Sequence, residues 1–121
     1  MRILEVLLLK NNNDKVLGLL GLATKAGKVL SGTDMVLDGI KRHKVKLVII
    51  AEDASEKTYS NFEYECLSRS IQFERYGKIE DLSNAIGKVN RAVIAISDIN
   101  LAEAIIKVIH GGEEFGKNKN S

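Results

Sequence analysis

The sequence predicts an α/β fold, a single-domain three-layer α/β/α sandwich around a mixed, largely parallel four-stranded sheet. Two runs predict the sheet. Val45 to Ala51 and Arg91 to Ser97 are almost continuously apolar and rich in β-branched residues, the pattern of strands buried on both faces. Around them apolar residues recur at helical spacing, and strands that alternate with helices stack into layers. A chain of 121 residues is long enough for one such domain and too short for two.

The elements follow in order. The first ten residues, MRILEVLLLK, carry an apolar run too short to span a bilayer. Glu5 interrupts it, and no small-residue cleavage site follows. Residues 1–13 therefore read as an N-terminal extension, an added strand or helix closed by the Asn11–Asn13 run. The domain proper spans 14–109. Asn13 or Asp14 caps a helix reaching about Ala26, with Val16, Leu17, Leu19, Leu20 and Ala23 on its apolar side. Gly18 and Gly21 weaken that helix intrinsically, which calls for a close neighbour. Gly27 suits its C-terminal turn.

Val29 and Leu30 form a short strand. Ser31-Gly32-Thr33-Asp34 reads as a capping box opening a second helix. Val36, Leu37 and Ile40 face inward there, leaving Asp34, Asp38, Lys41 and Arg42 outward. After the Val45–Ala51 strand, Glu52 to Ser55 form a loop. A third helix runs to about Arg69, with Tyr59, Phe62, Cys66 and Leu67 at helical spacing. Ile71 to Arg75 alternates as a strand. Ile79, Leu82 and Ile86 mark a short helix stopped by Gly87. Asp98 caps a last helix to about Ile109. Residues 110–121 lack an apolar period and read as a disordered tail.

Charge is distributed unevenly along this chain. Between Lys25 and Asp53 the sequence is KAGKVLSGTDMVLDGIKRHKVKLVIIAED. Lys25, Lys28, Lys41, Arg42, Lys44 and Lys46 precede Glu52 against only Asp34 and Asp38, while the whole chain carries a formal +2. A basic stretch on a nearly neutral domain is the footprint of a polyanion partner, though a solvated helix face gives the same pattern. Aromatic residues make up 5%, too few for a single-strand stacking platform.

Catalytic chemistry finds no support in the sequence. The segment from Gly21 to Lys28 imitates a phosphate-binding loop, but five residues separate its glycines where four are needed, and Val29 stands at the magnesium-binding position. Cys66 is the single cysteine, which excludes an internal disulfide and fits a reducing compartment; on an apolar helix face it reads as core. His43 and His110 are too few for a metal site. Glu52 and Asp53 end a strand where α/β enzymes place ligands, yet no nucleophile–base pair accompanies them, and they read as loop and cap residues.

The run GTDMVLDGIKRHKVKLVIIAEDAS resembles the kink-turn RNA-binding family of ribosomal proteins, the L-seven-Ae family, over about Asp14 to Ile109. The opening from Leu17 to Gly32 is similar to that of its small bacterial YlxQ-type branch. The resemblance implies an α/β/α sandwich without enzymatic activity. It implies binding of sharply bent RNA through the N-terminus of the second helix and the loop before the last strand. Carried over residue by residue, Gly32 and Thr33 match the motif's glycine and small residue. Lys28 takes a basic position before them. The motif's Asn, Glu and Lys fall on Asp34, Met35 and Asp38. The loop before the last strand is Gly87-Lys88-Val89-Asn90-Arg91.

The RNA-binding set expected is therefore Lys28, Gly32, Thr33, Asp34, Met35, Asp38, Lys41, Arg42, Lys88, Val89, Asn90 and Arg91. The expected protein is a cytoplasmic monomer bound to structured, ribosomal-type RNA. It has no cofactor, metal, small-molecule substrate or membrane partner. The alternative is a protein-interaction module on the same fold.

Overall fold

A computed structural model of the chain describes residues 3–8 and 11–111. Its elements are α1 (Ile3–Leu7), α2 (Asn12–Lys25), β1 (Val29–Ser31), α3 (Thr33–Lys41), β2 (Leu47–Ile50) and α4 (Glu56–Ser68). They continue with β3 (Gln72–Arg75), α5 (Ile79–Ala85), β4 (Val93–Ile96) and α6 (Ile99–Ile109). The strands form one sheet in the order β1-β4-β2-β3. Helices α3 and α4 cover one face; α2 and α6 cover the other, with α5 against α2. This is the three-layer sandwich.

The sheet is mixed, as expected, with a particular distribution of directions. β2 and β3 pair in parallel, whereas β4 is antiparallel to both β1 and β2. Three strands thus point one way, but the reversed one lies between two of them, so only the β2–β3 ladder is parallel. Every residue of β2 and β4 is buried. A continuous apolar run reports this two-sided burial; it does not report strand direction, and β4 reads like a parallel strand for that reason. Leu47, Ile49, Ile50, Ile94 and Ile96 are fully buried and form the centre of the core.

Several helix boundaries differ from expectation for identifiable reasons. Asn11, not Asn13 or Asp14, caps α2, its side chain accepting from the N–H groups of Asn13 and Asp14 at 2.7 and 3.2 Å. In the expected capping box, Ser31 is still in β1, opposite Ile94. The N-cap of α3 is Gly32, which contributes no side-chain cap. Leu67 is 65% exposed: it lies five residues past Phe62, about 140° around the helix from it. Ser55 and Asp98 cap α4 and α6 through the N–H groups of Thr58 and Leu101.

The close neighbour demanded by Gly18 is the N-terminal helix. A Cβ at Gly18 would stand 3.0 Å from Val6 Cγ1, and Val6 is fully buried. The described part of the extension, Ile3–Leu7, is therefore a helix docked on α2. Residues 112–121, most of the expected disordered tail, lie outside the described residues.

Candidate nucleic-acid interface

The sheet has two ends, and the hydrogen-bond register defines them. At one end β1 stops at Ser31, the Gly32 N–H donates to the Val93 carbonyl at 2.9 Å, and the Ala51 N–H donates to the Ala92 carbonyl at 2.9 Å. The chain turns here from β1 into α3, and the loop from α5 enters β4. At the other end Val29 and Leu47 both face Ile96. There the Lys28 carbonyl accepts from the Ser97 N–H at 2.9 Å, and the Lys46 N–H donates to the Ile96 carbonyl at 2.8 Å.

The turn end is defined by Gly32 and Arg91. Gly32 has φ 90° and ψ 154°, a conformation open essentially to glycine alone. With no side-chain cap, the first N–H groups of α3 stay free of an intrahelical partner. A Cβ at Gly32 would stand 3.5 Å from Arg91 Nη1, so the guanidinium lies over the glycine. Arg91 Nε is buried and has no hydrogen-bond partner among the described residues.

Ser83 fixes the Arg91 backbone. Its Oγ accepts from the Arg91 N–H at 2.8 Å and donates to the Arg91 carbonyl at 3.4 Å. Its own carbonyl accepts from the Lys88 N–H at 2.8 Å. Ser83 is 2% exposed, and sequence reasoning missed it. The signal was present: four residues after Ile79 and three before Ile86, it falls on the inward face of α5.

Thr33, Asp34 and Met35 are exposed on the first turn of α3. Thr33 and Asp34 also line a groove of about 380 Å³ between α3 and α4, together with Leu37 and Tyr64. Lys88, Val89 and Asn90 are exposed on the loop beyond; they border a hollow of about 480 Å³ with Asp53, Ile79 and Ser83. Asp53 is a cap residue, accepting from the Ile79 N–H at 2.8 Å. The neighbouring Glu52 lies 3.7 Å from Lys78 Nζ.

The sequence-predicted set is therefore divided. Gly32, Thr33, Asp34 and Met35 share the turn end with Lys88, Val89, Asn90 and Arg91. Lys28 lies at the opposite end, about 13 Å along β1 from Gly32. Lys41 and Arg42 stand at the C-terminal end of α3, about 12 Å from Thr33 along the helix. Asp38 pairs with Arg42 at 3.0 Å on the exposed surface, so part of the basic run is neutralised by its own helix.

The family description "Ribosomal protein L7Ae/L30e/S12e/Gadd45 family" matches residues 14–106. The chain belongs to this family. It is 35% identical over 91 residues to the RNA-binding protein YlxQ of Bacillus subtilis (strain 168), covering 75% of this chain and 91% of that protein. It is 30% identical over 98 residues to the large ribosomal subunit protein eL8 of Thermoplasma volcanium, covering 80% and 81%. A solved structure of a protein with unknown function from Bacillus halodurans C superposes with a TM-score of 0.77 at 33% identity, covering 79% of this chain and 97% of that one. The Giardia lamblia 15.5kD RNA binding protein shares the fold, with a TM-score of 0.70 at 20% identity over 84% and 88% of the two chains. No helix among the described residues is long and apolar enough to cross a membrane.

Proposed function

We propose that this chain is a non-enzymatic RNA-binding protein of the ribosomal type, acting as a monomer. It takes sharply bent, kink-turn-like RNA against the N-terminus of α3 and the loop from Gly87 to Arg91. The juxtaposition of Gly32 and Arg91 carries this reading, because it joins two segments far apart in sequence into one surface. Uncapped helix N–H groups and the positive end of the helix dipole attract a phosphate, and the absence of a Cβ at Gly32 lets a sugar–phosphate backbone approach. Arg91 adds a fixed cation with a planar fork suited to phosphate. Phosphate contacts orient the RNA, and its bent shape supplies the discrimination. Membership of a family described as ribosomal and similarity to a protein named as RNA-binding support the same partner.

Fluorescence anisotropy against a kink-turn RNA and a straight duplex of equal length tests this. The bent RNA is expected to bind at least tenfold more tightly, with the preference lost in Arg91→Gln. Equal binding of both RNAs would overturn the kink-turn reading. A protein partner at the same end is the second reading, favoured by the exposed apolar side chains of Met35 and Val89, 56% and 83% accessible. Serine at both positions would abolish that association while sparing RNA contacts made by backbone and guanidinium.

A further inference from the structure

The end of the sheet opposite Gly32 gathers basic residues from separate parts of the chain. Helix α2 finishes there at Lys25, and the next strand begins after Lys28. Helix α3 finishes at Lys41, followed by a turn through His43, whose N–H donates to the Ile40 carbonyl at 3.1 Å. Helix α4 also ends there: Arg69 lines a hollow of about 410 Å³ with His43, Lys46 and Gln72. Three helices thus direct their carbonyl ends, which carry negative partial charge, toward one surface.

That geometry accounts for some cations, since basic residues are stabilised at helix C-termini. It does not account for all of them. Lys28, Lys44 and Lys46 lie beyond the helix ends, on the turns and strand starts. Two of the arginines are held by acids on their own helices, Arg42 by Asp38 and Arg69 by Glu65. Lys25, Lys28, Lys41, Lys44 and Lys46 are all exposed, and none has an acidic partner among the described residues. A protein that needed these cations only to complement its helices would have no use for lysines outside them.

We propose that this basic end is a second RNA-contacting surface, which grips the phosphates of a duplex segment regardless of its sequence. The chain would then bridge two RNA segments, one at each end of the sheet. Lysine ammonium groups act as mobile point charges toward phosphate, whereas lysine is depleted at the cores of protein–protein interfaces. The separation supports two contacts over one: about 12–13 Å along α3 or β1 exceeds the Debye length of about 8 Å at physiological salt. The inference shares the RNA partner with the proposed function but does not depend on kink-turn recognition at Gly32.

The test compares full-length wild type with the triple variant Lys28→Gln, Lys44→Gln, Lys46→Gln and with arginine at the same three positions. Each binds a straight RNA duplex over a salt series. The triple variant is expected to lose about tenfold in affinity for the duplex near physiological salt. Its slope of log affinity against log salt should flatten by about two to three, near 0.9 per lost phosphate contact. Arginine at the same three positions should restore both quantities. Wild type held on an immobilised kink-turn RNA should also capture a labelled duplex, and the triple variant should not.

A triple variant that binds the duplex as wild type does would overturn the proposal. So would stronger wild-type binding to a poly-glutamate peptide or to anionic lipid vesicles than to the duplex, which would assign the surface to a protein or a membrane. If wild type fails to prefer kink-turn RNA but the triple variant still loses duplex binding, the kink-turn reading falls and the second surface stands.

Discussion

At its N-terminal end α3 presents constrained backbone; at its C-terminal end it presents free side chains. Gly32 is held in a conformation essentially only glycine adopts, and a buried serine holds the backbone of Arg91, whose guanidinium lies over the glycine. Little there can rearrange, so the surface has a shape before any ligand arrives, which lowers the ordering cost of binding. The lysines at the other end are solvated and unpaired, so they offer charge without shape. One helix nine residues long thus separates a rigid surface from a soft one.

The largest expected effect comes from breaking the rigid end at its turn. Gly32→Ala has room for the added methyl, whose nearest neighbour would be 3.5 Å away. The cost is therefore conformational, about 1–3 kcal/mol. Urea denaturation measures it, and binding to bent RNA should fall in parallel while duplex binding at the basic end persists. A variant of wild-type stability would show that the turn relaxes freely and that the end is not preformed.

Removing the clamp is the next test. Ser83→Ala leaves the Arg91 N–H without its acceptor inside the protein, at a cost of about 1–2 kcal/mol. Hydrogen exchange at Arg91 should accelerate selectively, because its amide bonds to the Ser83 hydroxyl, whereas the Lys88 amide keeps its bond to the Ser83 backbone carbonyl. Unchanged exchange at Arg91 would mean that the loop is fixed by other contacts.

Cys66 sharpens the comparison from beneath the basic end. Burial pushes its thiol from 9.0 up to about 11, aided by Glu65 and opposed by Arg69. The folded state therefore disfavours the thiolate. The stability this confers is complete below about pH 9 and declines as pH rises toward 11. Native protein should react with a thiol reagent far more slowly than unfolded protein at pH 8. Cys66→Ala should cost about 1 kcal/mol through lost packing, removing the thiol's share of the alkaline decline without altering RNA binding; Tyr59 and Tyr76, whose hydroxyls burial also pushes up, keep theirs. Rapid labelling of the native thiol would show that basic neighbours, not burial, control this region.

The smallest effects on stability belong to exposed acids on α3. Asp34 makes no cap bond, so Asp34→Ala should lose no more than about 0.5 kcal/mol, through the helix dipole alone. A loss of binding to bent RNA without a loss of stability would assign Asp34 to a base contact. Asp38→Lys removes a partner of Arg42 and should change stability by less than about 0.5 kcal/mol. It should strengthen binding to most RNAs and steepen the salt dependence. A weaker complex would mean that Asp38 accepts a hydrogen bond from the RNA.

Strands and helices were legible because their signals are local. The apolar run of β2 and the spacing of Val36 and Ile40 report burial directly. Strand direction was less legible, since β4 is buried on both faces as a parallel strand would be. The capping box failed because Ser31 belongs to the sheet ladder, a long-range fact. The site was half legible. Its residues were named from their positions in sequence, but neighbours along the chain need not share a surface. Lys28 and Gly32 are four residues apart and stand at opposite ends of a strand. Gly32 and Arg91 are distant in sequence and touch.

The position of β4 also constrains how the chain acquires its structure during synthesis. Among the described residues β1 pairs only with β4, so it must wait unpaired until residues 93–96 have emerged. β2 and β3 can associate earlier, being neighbours both in the sheet and among the strands in sequence. A nascent chain therefore holds a two-stranded fragment and a stranded N-terminal edge until almost its full length is available, and closes cooperatively when the reversed strand slides between them. Such late, non-local closure slows folding and leaves apolar strand edges open in the interim. A chain released before Val93 would lack the middle of its sheet and could not assemble the turn at Gly32, whose N–H bonds to that residue's carbonyl.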